Sequence, residues 1–226
     1  WTKNGWSRRT LTIERVGDDT LEVVAFRRPG FGSESEYIEV TKSTMDEARK
    51  LPKFGWQRIR SGEQINGRGR RGANWHSKQG DMIASWSVGL DEINRWTPGL
   101  LQVSIGASIS EALGIQLKWP NDLIYQSKKV GGILVESQNL GKDFITVIGI
   151  GINLQINPEE KHWGDLSIDK SDESLKESLI EDLSNRLLEM ASDQLSSSWE
   201  SNWIKKCVHI GQFVKIKSSN ERLEFL

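Results

Sequence analysis

The chain has 226 residues, a formal net charge of −1 and one cysteine, Cys207. That length admits one large domain, or a medium domain with a small appendage, and little more. With 36% hydrophobic and 27% charged residues it belongs among folded globular chains. The balanced charge excludes a strong global field for polyanions, and the longest apolar run, residues 144–154, is far short of the roughly 20 residues a membrane-spanning helix needs. A lone cysteine makes no internal disulfide or thiolate metal cluster, which fits a reducing, cytoplasmic compartment.

Taken in chain order, residues 9–16 and 20–28 read as two strands joined by the turn Gly17-Asp18-Asp19, a hairpin within an N-terminal segment 1–37 of unassigned role. That segment shows no helix-turn-helix pattern, so no DNA partner is expected. A short strand ends at Thr41, and Ser43 is placed to cap a helix through Leu51 with Glu47 as its capping partner. A strand then enters a polar loop over residues 61–80, and residues 82–88 alternate as a strand. Pro98 opens a helix that Gly114 ends. Residues 115–119, 130–136 and 144–154 read as three strands of one sheet, separated by turn-rich stretches at 120–129 and 137–142. A long amphipathic helix over residues 173–195 carries Leu175, Leu179, Leu183, Leu187 and Leu188 on one face. Residues 199–206 read as helical, and 211–217 begin fresh strand, so residues 207–226 are expected to open a small second domain.

Four clusters carry the chemistry. The run Gly67-Arg68-Gly69-Arg70-Arg71-Gly72 satisfies the dinucleotide-binding pattern in form, but no apolar strand leads into it and no helix follows, so a nucleotide-wrapping βαβ unit is not expected. Its bland alternative is a solvated turn; interleaved glycines, however, lose much backbone entropy on ordering, and freed amides beside guanidinium groups suit a carboxylate or phosphate. Lys118-Trp119-Pro120-Asn121-Asp122 sits at a strand end, where Pro120 stops the ladder; by itself it reads as a turn with an exposed lysine. Gly131-Gly132-Ile133-Leu134-Val135-Glu136 opens a strand with two glycines. Gly149-Ile150-Gly151-Ile152-Asn153 leaves one strand face bare, either for close packing or for a flat ligand.

These four in this order, with Ser43-Thr44 upstream, resemble the catalytic domain of the biotin protein ligase, or biotin-[acetyl-CoA-carboxylase] ligase, family over about residues 39–203. The resemblance implies an α+β fold related to class II aminoacyl-tRNA synthetases: a mixed sheet flanked by helices over residues 38–206, then a small β-barrel. It implies ATP-dependent conversion of biotin to biotinyl-5′-AMP and transfer to a lysine on the biotin carboxyl carrier domain of acetyl-CoA carboxylase. Mg2+ would travel with the substrate phosphates, with no protein metal site and no membrane partner, and a homodimer is compatible with it. By the resemblance Ser43, Thr44, Gln64, Gly67 and Arg68 bind the biotin ureido end, and Gly132, Gly149 and Gly151 floor the pocket. Arg70 and Lys118 act on the carboxylate and α-phosphate as catalytic cations. Trp75, Asn153 and again Arg70 hold the nucleotide. The family's common Ser-Thr-Asn is here Ser43-Thr44-Met45.

Two other readings compete. Lipoate attachment uses related lysine-centred chemistry, though the arginine-glycine loop favours biotin. An RNA-binding module would use Arg68, Arg70, Arg71, Trp75 and His76 as a basic, aromatic patch, but the chain is not net basic.

Overall fold

The computed structural model describes residues 10–16, 20–26, 36–51, 56–89, 98–140, 143–156, 163–169, 171–191, 198–215 and 222–225. The expected turn at 17–19 and the ends of several expected elements, at 9, 27–28, 141–142, 192–195 and 216–217, lie outside these residues. Strands β1 (Thr10–Val16) and β2 (Thr20–Phe26) pair antiparallel with Val16 opposite Thr20.

The body is a seven-stranded sheet. Its strands are β3 (Glu36–Thr41), β4 (Trp56–Gln64), β7 (Met82–Gly89), β8 (Gln116–Lys118), β9 (Asp122–Tyr125), β10 (Lys128–Leu140) and β11 (Asp143–Ile152), in the order β3-β4-β7-β11-β10-β9-β8. Between β4 and β7 a small hairpin intervenes, β5 (Gly67–Arg68) paired with β6 (Asn74–Trp75). Only β3 and β4 run parallel; the other pairs are antiparallel. The sheet is therefore mixed, as expected for an α+β fold.

Three expectations change here. The polar stretch from Ser61 is not all loop: β4 continues to Gln64, and the β5–β6 hairpin follows a short connection. The stretch at 120–129 holds β9, because Asn121 replaces the ladder bonds that Pro120 cannot make. Its Nδ2 donates to the Ile133 carbonyl, and Ile133 N–H donates to the Asn121 carbonyl, each at 3.0 Å. The β9–β10 turn places Gln126 at φ 48° and Ser127 at φ 63°, left-handed positions normally held by Asn or Gly. Strand β10 likewise runs on through Leu140, past the expected end at 136.

Period-two alternation sends apolar side chains to both faces. One face carries Ala84, Trp86, Val88, Ile133, Ile148, Ile150 and Ile152, covered by α2 (Pro98–Leu113) and α3 (Glu173–Ala191). Helix α2 is buried over most of its circumference, and Gly106 faces Leu117 and Ile133, with which a Cβ would make ordinary contact at 3.5 and 3.6 Å. Gly114, at φ 66°, ends this helix as its position predicts. On α3 the buried stripe is Ile180, Leu183, Leu187 and Met190, with Leu179 and Leu188 beside it; Leu175 is exposed. The leucine line read from the sequence is thus rotated, because the seam follows i, i+3, i+7 and i+10 from Ile180.

The opposite face holds a smaller core of Met45, Ala48, Ile59, Ile145 and Val147 under α1 (Thr44–Ala48). Past α4 (Ser198–Lys206), Val208 N–H donates to the Leu117 carbonyl at 2.8 Å and Cys207 bridges Leu117, so this segment runs along β8. The last strands, β12 (Phe213–Lys215) and β13 (Arg222–Glu224), form a hairpin; the described residues there do not close a barrel. Among the described residues no helix is long and apolar enough to cross a membrane.

Candidate active site

Glycine creates the site. In β11, Gly149 and Gly151 alternate with Ile148, Ile150 and Ile152, so the isoleucines fill one face and the other is left bare. Register extends the bare patch, since Gly151 pairs with Gly132 of β10. Above this floor lies a groove of about 860 Å3 counting its open mouth. Two side chains rest on the glycines. A Cβ on Gly151 would meet the Trp75 ring at 2.7 Å, and one on Gly149 would meet the Met45 sulfur at 2.9 Å. The slot is thus filled by flat and unbranched groups, the Trp75 ring over Gly151 and the Met45 side chain over Gly149.

One end of the groove is polar and uncharged. The Thr44 backbone N–H and Oγ1 both donate to Gln64 Oε1, at 2.7 and 3.0 Å, and Thr44 Oγ1 lies 2.8 Å from Ser85 Oγ. Ser43 does not cap α1; its hydroxyl is buried with no hydrogen-bond partner. Glu47 accepts instead from the Thr41 hydroxyl at 3.3 Å. A buried hydroxyl without a partner forfeits about 1–3 kcal/mol, so Ser43 Oγ marks a place where a bound polar group would be stabilised. Trp75 Nε1 is another such orphan on a residue that lines the groove.

The other end is cationic. Lys129 Nζ lies 2.5 Å from Asp122 Oδ1, and 5.9 and 5.7 Å from the rings of Trp75 and Trp163, which meet edge-on at 6.3 Å. Arg70 lines the groove, and its guanidinium makes no ion pair or hydrogen bond with another described residue. Arg68 is spoken for: it donates to Asp46 at 2.7 Å and lies 3.7 Å from Glu136, which Arg49 also grips. The hydrogen bond from Arg68 holds the Asp46 carboxyl below the usual carboxylate range, helped by both arginine charges, and the same bond raises Arg68. This pairing removes Arg68 from the open basic patch that an RNA-binding face would need.

Of the residues singled out in the sequence, Ser43, Thr44, Gln64, Arg68, Arg70, Trp75, Gly132, Gly149 and Gly151 line one groove. Three do not. Gly67 packs behind it, where a Cβ would come within 2.6 Å of the Trp75 carbonyl. Asn153 is buried; its Nδ2 donates to the Gly164 carbonyl at 3.0 Å and so fastens the segment that carries Trp163. Lys118 is exposed on β8 beyond the groove. The lysine that enters is Lys129, which stands outside the four clusters and was given no role because the resemblance assigned the lysine's part to Lys118. Its cue was its place just before Gly131-Gly132. Asp122, quoted in the Lys118–Asp122 cluster, was given no role, and Ser85 and Trp163 were missed too; Trp163, in a polar stretch, offers no periodic signal. Among the described residues no group of three or more His, Cys, Asp or Glu side chains is placed to hold a metal ion.

Comparison with known proteins agrees with this architecture. Residues 37–153 match the Biotin/lipoate A/B protein ligase family. The chain is 32% identical over 183 residues to the bifunctional ligase/repressor BirA of Bacillus subtilis, spanning 66% of this chain and 56% of that protein. It is 32% identical over 129 residues to a biotin-[acetyl-CoA-carboxylase] ligase of Paracoccus denitrificans, 53% of this chain and 54% of the relative. The chain therefore spans little more than half the length of these curated relatives. The biotin protein ligase from Aquifex aeolicus in complex with biotin and ATP superposes with a TM-score of 0.68 at 26% identity, covering 86% of this chain and 88% of that one.

Proposed function

The chain belongs to the Biotin/lipoate A/B protein ligase family, and from that membership we propose that it activates biotin with ATP and passes it to a lysine of a biotin carboxyl carrier protein. The carrying observation is a single groove with a neutral polar end, a glycine floor and a cationic end. A ureido ring both donates and accepts hydrogen bonds, which Ser43, Thr44, Gln64 and Ser85 can answer; the dithiolane of lipoate would leave them unpaired, at a penalty binding sites exploit to discriminate. Met45 and Trp75 cover Gly149 and Gly151, and in this reading an unbranched valeryl chain lies against those two side chains. At the far end the biotin carboxylate and the α-phosphate of Mg-ATP repel each other.

Lys129 and Arg70 offset that repulsion, the ammonium as a compact charge and the guanidinium as a two-pronged donor. A carboxylate oxygen bonds to the α-phosphorus, the bond to the bridging oxygen breaks, and pyrophosphate leaves with the electron pair. In the second step the neutral amine of the carrier lysine bonds to the acyl carbon, AMP departs, and the amine's proton is released. Trp75 and Trp163 form the wall for the adenine. Residues 38–206 are the catalytic unit and 207–226 the beginning of a C-terminal β domain in this reading, and the site of action is cytoplasmic.

Biotin-dependent exchange of pyrophosphate into ATP tests the assignment. Biotin should support exchange and lipoate should not, and Lys129→Met should reduce the rate by roughly 100-fold or more, the scale seen when a transition-state charge partner is lost. Exchange driven by lipoate alone would reverse the assignment, and a Lys129→Met enzyme with near-normal turnover would remove that lysine from the mechanism.

A further inference from the structure

The β5–β6 hairpin is a short piece of chain that brings two groups to the groove. Arg70 stands in its turn, and the Trp75 ring lies over Gly151. Its base is fixed where Gln64 N–H donates to Ser77 Oγ at 3.0 Å, but β5 and β6 pair at two positions only, Gly67 with Trp75 and Arg68 with Asn74. The turn adds two left-handed residues, Arg71 at φ 54° and Gly72 at φ 75°. A two-stranded hairpin is marginal in water by itself, so this one needs an anchor on the body of the protein.

Arg68 supplies it. Its Nη1 donates to Asp46 Oδ2 on α1 at 2.7 Å, and its Nη2 lies 3.7 Å from Glu136 Oε2 on β10. Arg49, which ends α1, meets the same two carboxylates, at Asp46 Oδ1 (2.7 Å) and at Glu136 Oε2. Two arginines and two carboxylates thus close a ring over three elements. An isolated surface ion pair contributes little, whereas a network in which every charge has two partners is where such pairs count. On the body side the ring is well seated: Met45 and Ala48 hold α1 in the apolar core with Ile59, Ile145 and Val147, and Glu136 pairs with Val147 across the sheet. Arg68 Nη2 is buried without a hydrogen-bond partner, since 3.7 Å is too long for one. A buried donor gains from any movement that brings it to its acceptor, so the ring favours a hairpin seated against the sheet over one turned outward.

We propose that Asp46 and Glu136 are positioning residues, holding the β5–β6 hairpin on the sheet through Arg68 so that Arg70 and Trp75 stand in the groove before a ligand arrives. Their part in the reaction rests on the adenylation reading above; the anchoring itself does not. Neither carboxylate meets the substrates in that reading. Breaking the ring lowers the fraction of molecules with the hairpin seated, and apparent affinity falls by that fraction, while the bound and closed complex reacts as before. The loss therefore falls on KM and not on kcat. A seated fraction of about one tenth corresponds to a roughly tenfold rise in KM.

Amide hydrogen exchange in the ligand-free protein measures the anchoring, compared between wild type, Asp46→Asn, Glu136→Gln, the double variant Asp46→Asn/Glu136→Gln and the conservative Asp46→Glu. Exchange across residues 67–75 should speed up by roughly tenfold in the double variant and less in each single one, while β7, β10 and β11 keep their protection and Asp46→Glu stays near wild type. In pyrophosphate exchange the double variant should show the matching rise in biotin KM, with kcat within about twofold of wild type. Unchanged exchange across 67–75 in the double variant overturns the proposal, and so does a loss of protection that spreads equally to β7, β10 and β11. A released hairpin with an unchanged biotin KM removes the positioning role. If the wild type shows no biotin-dependent pyrophosphate exchange, the adenylation reading fails instead, and amide exchange still decides the anchoring. Should the double variant not fold, the single variants and the wild type in molar potassium chloride, which screens the ring, make the same comparison. Faster exchange across 67–75 there supports the ring, and no change in either overturns it.

Discussion

At the scale of single residues, charge placement governs what this groove can bind. Asp46 ties down Arg68, and Glu136 ties down both Arg49 and Arg68, so of the two described arginines that line the groove, Arg68 and Arg70, the guanidinium left to meet an anion is that of Arg70. Because its folded pKa is depressed, chiefly by the bond from Arg68, Asp46 contributes stability above its unfolded value, near 4, and loses it as pH falls through the lower folded value. Asp46→Asn should therefore destabilise the protein at neutral pH by an amount that salt reduces, since the pair is partly exposed. The gap between the two proteins should close as pH drops below about 4. Denaturant melts across that range measure it, and a gap that does not change with pH would refute the account. The same scale explains why Lys118 and Lys129 could not be ranked from sequence. Each is a lysine within two residues of a turn, and only the register beyond the bulge between Lys129 and Gly131 decides which one stands over the floor.

At the scale of elements, α3 is docked on the sheet by a polar knot set into an apolar seam. Ser184 Oγ accepts from Arg58 Nη1 at 2.9 Å and from Trp86 Nε1 at 3.0 Å, and donates to the Ile180 carbonyl at 2.7 Å. Glu177 and Glu181 complete the shell around Arg58, which is 7% exposed. Ser184→Ala would strip two buried donors of an acceptor, at about 1–3 kcal/mol. For a chain of this size that lowers Tm by roughly 2–4 °C per kcal/mol, readable by calorimetry. The groove is on the other face, so biotin affinity should not change; a shift in biotin Kd without a shift in Tm would contradict the division of labour between faces. The amphipathic pattern of α3 was visible beforehand, but its buried stripe was misplaced, because a leucine-rich helix shows a broad apolar arc and the sheet selects which part to cover.

For the whole molecule, the last described residues matter through one side chain. Phe225 lies 6.2 Å from Trp119, 6.3 Å from Trp203 and 5.4 Å from His209, joining the β12–β13 hairpin to α4 and to the chain beside Lys118. Phe225→Ala should loosen the hairpin without melting the sheet, since it removes a partly exposed side chain and less burial than a core phenylalanine. Amide exchange should rise across residues 213–224 and stay protected in β7, β10 and β11; equal loss of protection in both would show that the hairpin and the sheet unfold as one unit. The sequence alone determined much of this arrangement. Alternation in β11 predicts a bare glycine face, Gly114 predicts the helix end, and the four motifs in order predict the family that the comparisons show. These are legible because the direction of a side chain within a strand and the allowed φ of a residue are local properties. What only the tertiary structure decided is what stands opposite each residue. Trp75 and Met45 lie on the glycine floor, Asn153 turns inward to Gly164, Trp163 arrives from a polar segment, and Lys129 is in the groove where Lys118 was expected. Each of these depends on cross-strand register or on chain segments distant in sequence, and no local pattern encodes either.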